Sequence, residues 1–142
     1  MPKNPQTSKI TPHQALIYAM VLVAGSDRDI TDNELQLIGR KARQLPVFET
    51  FDENRLPEVA QECAVIVHTR DGVERALTLI AEALPRHLRE TCYLCATEIA
   101  AIDRRIPVEE LRLLQRLRLV LDLDRLVTSA IERATQARLA VL

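Results

Sequence analysis

The sequence predicts an all-α fold, a compact bundle of about seven helices built from two pseudo-repeated helical units. Three observations predict it. Glycine is scarce, at 3 of 142 residues, and aromatics make up 3%, while Leu, Ala, Arg, Glu and Ile abound; that balance favours helix over sheet. Apolar residues recur at three- and four-residue steps through most of the chain. The third observation is a duplication. Ser26-Asp27-Arg28-Asp29-Ile30-Thr31-Asp32-Asn33-Glu34-Leu35 returns as Ile102-Asp103-Arg104-Arg105-Ile106-Pro107-Val108-Glu109-Glu110-Leu111, so that Asp27, Ile30, Glu34 and Leu35 match Asp103, Ile106, Glu110 and Leu111, each pair 76 positions apart.

The elements follow in order. Thr11-Pro12-His13-Gln14 has Thr at an N-cap, Pro at the first helical position and Gln three residues on, which starts a helix over Pro12 to Ala24. Thr31-Asp32-Asn33-Glu34 repeats the capping box, with Ile30 and Leu35 as a hydrophobic staple. Leu35, Ile38, Ala42 and Leu45 then mark one face of a second helix that Pro46 stops. Leu56 to Val67 and Val73 to Leu84 are two more helices, separated by the turn signal Arg70-Asp71-Gly72. His87 to Ile102 is the fifth and the counterpart of the first. Leu111, Leu114, Leu117 and Leu121 trace the buried face of the sixth, and the last runs over Asp124 to Leu139. Phe51-Asp52-Glu53-Asn54-Arg55-Leu56 parallels Leu121-Asp122-Leu123-Asp124-Arg125-Leu126 at a spacing of 70. The drop from 76 to 70 assigns six extra residues to the connector between Leu45 and Phe51, where insertion is tolerated.

Length allows one domain, over 10–142, preceded by a flexible arm over 1–9 that holds two prolines. The 19 basic and 20 acidic side chains leave a formal charge of −1, without the field that draws a protein onto nucleic acid. The longest apolar run, Ala15 to Ala24, falls short of the roughly 20 residues of a membrane span. Three cysteines and no export signal indicate free thiols in the cytoplasm.

The candidate site is the doubled acidic segment. Asp27, Asp29, Asp32 and Glu34 put four carboxylates within eight residues, the oxygen-rich chemistry that hard cations such as calcium or magnesium select. It is not an EF-hand, because Asp32 stands where that loop needs Gly and Ile38 where it needs a bidentate Glu. Two readings of the acids stand side by side. In one, Asp27, Asp29, Glu34, Asp103 and Glu110 hold a divalent cation (calcium, magnesium or zinc), with packing of the first helix on the fifth opening both loops on one side. In the other, Asp32 and Glu34 complement the positive start of the second helix, Asp27 caps a turn, and Arg28, Arg104 and Arg105 supply the counter-charge.

These residues resemble the TerB-like family, the tellurite-resistance-associated helical domain. The shared pattern is a helix ending in small residues followed by Asp-x-x-Ile/Val-x-x-x-Glu-Leu, here Asp27, Ile30, Glu34, Leu35 and Asp103, Ile106, Glu110, Leu111, and the resemblance covers about Thr11 to Ala134. It implies a helical bundle with two neighbouring loops, an acidic cation-binding surface and a non-enzymatic binding or adaptor role with a protein partner in a stress or tellurite-resistance system. This sequence departs from the pattern in carrying Arg28 and Arg104 where the family usually has Gly. The alternative is a purely structural protein–protein interaction module in which the loop acids are helix caps.

Other motifs carry less. Cys92-Tyr93-Leu94-Cys95 has redox or half-zinc spacing, yet both thiols fall on an apolar helical face, so packing is the expectation. His13, His68 and His87 stand apart from any serine or cysteine arrangement for nucleophilic catalysis, and no catalytic residue is assigned. The arginines from Arg86 to Arg138 are interleaved with acids, as on a salt-bridged surface.

Overall fold

The computed structural model describes residues 9–25, 30–103 and 108–142, and shows seven α-helices among them. They are α1 (Pro12–Ala24), α2 (Asp32–Gln44), α3 (Leu56–Val67), α4 (Gly72–Ala83), α5 (Arg89–Ala100), α6 (Val108–Val120) and α7 (Arg125–Leu139). Short 3-10 turns precede α3 and α5 and follow α2 and α5. No strand occurs among the described residues. Apart from Lys9, the expected N-terminal arm lies outside them.

Local chemistry explains where the helices begin. Thr11 Oγ1 accepts from the Gln14 amide at 3.1 Å and Gln14 Oε1 accepts from the Thr11 amide at 2.8 Å, so two otherwise unpaired donors are satisfied. The α2 start repeats this, with Thr31 Oγ1 accepting from the Glu34 amide at 3.2 Å and Glu34 Oε1 from the Thr31 amide at 2.9 Å. Between α3 and α4 the chain turns through Asp71 in the left-handed region, φ 55°, and Gly72 follows against α3. A Cβ on Gly72 would overlap the Ile66 and Val67 backbone, so only glycine allows this close approach.

At the centre, α1 packs on α5. Every residue of α1 from Ala15 to Ala24 is buried, as expected for a helix apolar all round. Around this pair, α2 and α3 pack on α1 while α6 and α7 pack on α5, and α4 closes the bundle against α1 and α3. One continuous apolar cluster runs through all of these except α7, whose nearest contribution is the half-buried Ile131.

Helix bounds follow the offset of the doubled segment. α2 spans 32–44 and α6 spans 108–120, while α1 ends at 24 and α5 at 100, each 76 apart. Asp52 accepts from the Asn54 amide at 3.0 Å and caps the 3-10 turn before α3, whereas Asp124 accepts from the Leu126 amide at 2.8 Å and caps α7 itself. Asp122, the residue that letter matching pairs with Asp52, occupies a left-handed turn at φ 53°. One expectation is corrected. Leu111 is 46% exposed, and Leu113 takes its place beside Leu114, Leu117 and Leu121 on the inner face of α6.

Ties between helix ends set the packing directions. His13 Nε2, in the first turn of α1, hydrogen-bonds the Val47 carbonyl at 2.7 Å, and its ring stacks on Phe48, so α1 begins beside the connector that follows α2. Lys41 near the end of α2 pairs with Glu98 near the end of α5, and Arg138 near the end of α7 joins the same carboxylate at 2.6 Å. The C-terminal end of α1 lies elsewhere, where Val21, Leu22 and Gly25 share a small pocket with Ala64 and Val67 of α3 and its C-cap His68.

Candidate functional site

Of the acids that the sequence singles out, Asp27 and Asp29 lie outside the described residues. Glu34 and Glu110 are half-buried in the first turns of α2 and α6, and the Asp103 backbone closes the 3-10 turn after α5. The Glu34 carboxylate is committed locally. Besides the Thr31 amide, its Oε1 accepts from Thr31 Oγ1 at 2.9 Å, so that oxygen serves a helix cap. The helix ends that lead into the two segments also meet different neighbours, α3 beside the end of α1 and α2 with α7 beside the end of α5. Among the described residues, no group of three or more His, Cys, Asp or Glu side chains could hold a metal ion.

Two features that sequence reasoning missed come forward. The first is a buried ionic cluster. Lys41 and Glu98 are each under a tenth exposed and form an ion pair, and Arg138, half exposed, donates to the same Glu98 Oε1. Burial holds the Lys41 ammonium below its ordinary range, and Arg138 adds like-charge repulsion to that effect. The cluster ties three helix ends together across the bundle. Its signal in the sequence is faint, a lone acid between Thr97 and Ile99 in an apolar stretch.

The second feature is the outer face of α6. Its inner face buries Leu113, Leu114 and Leu117, which is all that the core needs of a 13-residue helix. Yet Val108, Leu111 and Leu119 are 58%, 46% and 65% exposed. Their spacings of three and eight place them, with Gln115 between, on the side opposite the core. Exposed Arg112 and the half-buried Arg116 and Arg118 border this stripe. Arg116 also reaches across to Glu74 on α4. A leucine-rich stripe edged by guanidinium groups, on a helix already anchored from behind, has the composition of a contact surface.

The cysteines are closed by their own neighbours. Cys63, Cys92 and Cys95 are all buried, free thiols; desolvation pushes Cys63 and Cys95 up to about 12 and Cys92 well above its usual value, the opposite of a reactive thiol. The expectation of packing for the Cys-x-x-Cys pair therefore holds. A groove of about 570 Å³ between α1, α3 and α4 is floored by Tyr18. At its floor the Tyr18 hydroxyl hydrogen-bonds Glu62 and Gln14 Nε2 donates to the same side chain at 3.2 Å. No helix among the described residues is long and apolar enough to cross a membrane.

Comparison of the chain with protein-family models, curated proteins and solved structures gave no match.

Proposed function

We propose that this chain is a non-enzymatic binding or adaptor domain that docks a protein partner through the outer face of α6. The observation that carries this reading is the second apolar stripe, Val108, Leu111 and Leu119, exposed on a helix whose opposite face already fills the core. Its arginine border fits a partner helix that is leucine-rich on one side and edged with glutamate or aspartate. The resemblance of the doubled segment to the TerB-like family is the reason to place such an adaptor in a stress or tellurite-resistance system, and free thiols suit a cytoplasmic setting. For Glu34 the capping geometry favours the structural role over the cation role.

A designed amphipathic peptide with leucines at helical spacing and flanking glutamates serves as the probe. Amide shifts that saturate at Val108, Leu111, Gln115 and Leu119, and that vanish in L111D/L119D, are the expected result; shifts confined to other helices overturn the reading. Titrating calcium, magnesium and zinc in parallel tests the cation role of Asp27, Asp29, Asp103 and Glu110. Saturable shifts that need Asp27 and Asp103 together would establish it.

A further inference from the structure

The α6 stripe calls for an aliphatic helix edged with carboxylates, and α3 has that character on its outward side. Glu58, Glu62 and Val65 follow at steps of four and three, which puts them on one side of the helix, while Leu56, Val59, Ala60 and Cys63 face the bundle. Val65 is 57% exposed and Glu58 is exposed as well. Beside them runs the groove between α1, α3 and α4, about 570 Å³ in volume, whose walls are aliphatic at Ile10, Val65, Ile66 and Leu79. Acids stand on both banks: Glu58 and Glu62 on α3, and exposed Glu82 one turn beyond Leu79 on α4. Lys9 is the cation that lines it. Glu62 accepts from Tyr18 and Gln14, yet two donors leave a carboxylate about half of its acceptor capacity.

The α6 stripe complements this groove in both respects. Val108, Leu111 and Leu119 are aliphatic like the groove walls, and Arg112, Arg116 and Arg118 bring guanidinium groups where the groove has carboxylates. A pairing of this kind already exists within the chain, since Arg116 of α6 is bonded to Glu74 of α4. The stripe cannot reach the groove of its own chain. Leu113, Leu114 and Leu117 hold the opposite face of α6 in the core, and the stripe points away from it.

We infer, on the strength of the α6 docking role proposed above, that the partner is a second copy of this chain, the α6 stripe of one copy seating in the α1–α3–α4 groove of the other. Leucines of one copy and aliphatic groove walls of the other then leave water together. The arginine border meets Glu58, Glu62 and Glu82 across the rim, which sets the orientation of the helix in the groove. The contact joins two different surfaces, so a copy with a spoiled stripe still offers its groove, and a copy with a spoiled groove still offers its stripe.

Two full-length variants separate those halves. L111D/L119D spoils the stripe, and E58R/V65R sets guanidinium groups in the groove; all four positions are exposed, so both variants keep the fold, which the urea midpoint checks. In sedimentation the parent is expected to gain mass with concentration, each variant alone to associate at least about tenfold more weakly, and an equimolar mixture to form a one-to-one pair through its intact contact. A parent that stays monomeric overturns the inference. So does a variant that associates like the parent, or a mixture that stays monomeric. The leucine–glutamate peptide, titrated into E58R/V65R, tells this failure from failure of the α6 reading: peptide bound at α6 without self-association removes the second copy alone, and loss of both removes the docking role as well.

Discussion

Glu98 receives Lys41 from 57 residues upstream and Arg138 from 40 residues downstream. Removing its carboxylate by Glu98→Ala leaves a desolvated ammonium beside a guanidinium with no counter-charge, and a loss of about 3–5 kcal/mol in urea unfolding is expected. Replacing the pair together, as K41M/E98L, recovers most of that loss, because apolar side chains of similar volume remove the desolvation penalty along with the attraction. A Glu98→Ala variant as stable as the parent would show that water reaches the cluster. At α2, Thr31→Ala removes the acceptor of the Glu34 amide and lowers stability by about 1 kcal/mol, with or without added calcium. Calcium dependence of that loss would return Glu34 to the cation reading. Such caps were legible in the sequence, since donor and acceptor lie three residues apart and the residue types reveal the bond. The Glu98 cluster was not, because its partners are distant in sequence and nothing local distinguishes a buried glutamate from an exposed one.

Among the elements, α6 separates packing from binding most cleanly. Leu117 is almost wholly buried and Leu119, two residues on, is 65% exposed. Leu117→Ala is expected to lower stability by about 2–5 kcal/mol, whereas Leu119→Asp stays within about 0.5 kcal/mol while abolishing peptide binding. Urea denaturation and the peptide titration read these two outcomes independently; a Leu119→Asp variant that unfolds early would make the stripe part of the core. The sequence placed α6 but rotated it, because leucines stand on both its faces and the series Leu111, Leu114, Leu117, Leu121 competes with one through Leu113. Which series faces inward is decided by α5 and α1, not by α6 itself. Two aspartates, Asp122 and Asp124, offer the same letter, and only the hydrogen bond to the Leu126 amide shows which one caps the helix.

For the molecule as a whole, the sealing of the core predicts how stability responds to alkali. Cys63, Cys92 and Cys95 titrate near 9 in the unfolded chain, whereas in the folded protein burial pushes Cys63 and Cys95 up to about 12 and Cys92 well above its usual value. Between those values the unfolded state has lost protons that the native state keeps, so stability is fully present below pH 9 and falls as pH rises toward 12. Tyr93, pushed up to about 12 by burial and then by Glu132, and Tyr18, raised by burial and Glu62, add to the fall above pH 10. Lys41 works the other way, since its lowered value lets the native state release a proton first, but it is one group against five. The urea midpoint should therefore hold level through neutral pH and drop steadily above pH 9, each sealed thiol contributing up to about 1.4 kcal/mol per pH unit. Cys63→Ala lowers the plateau by creating a small cavity yet flattens the alkaline limb by one group, a combination that a general alkaline weakening of salt bridges does not produce. A midpoint unchanged to pH 10.5 would mean that the thiols meet water and that α5 is not part of a closed centre, while a Cys63→Ala limb as steep as the parent's would mean that water reaches the inner face of α3.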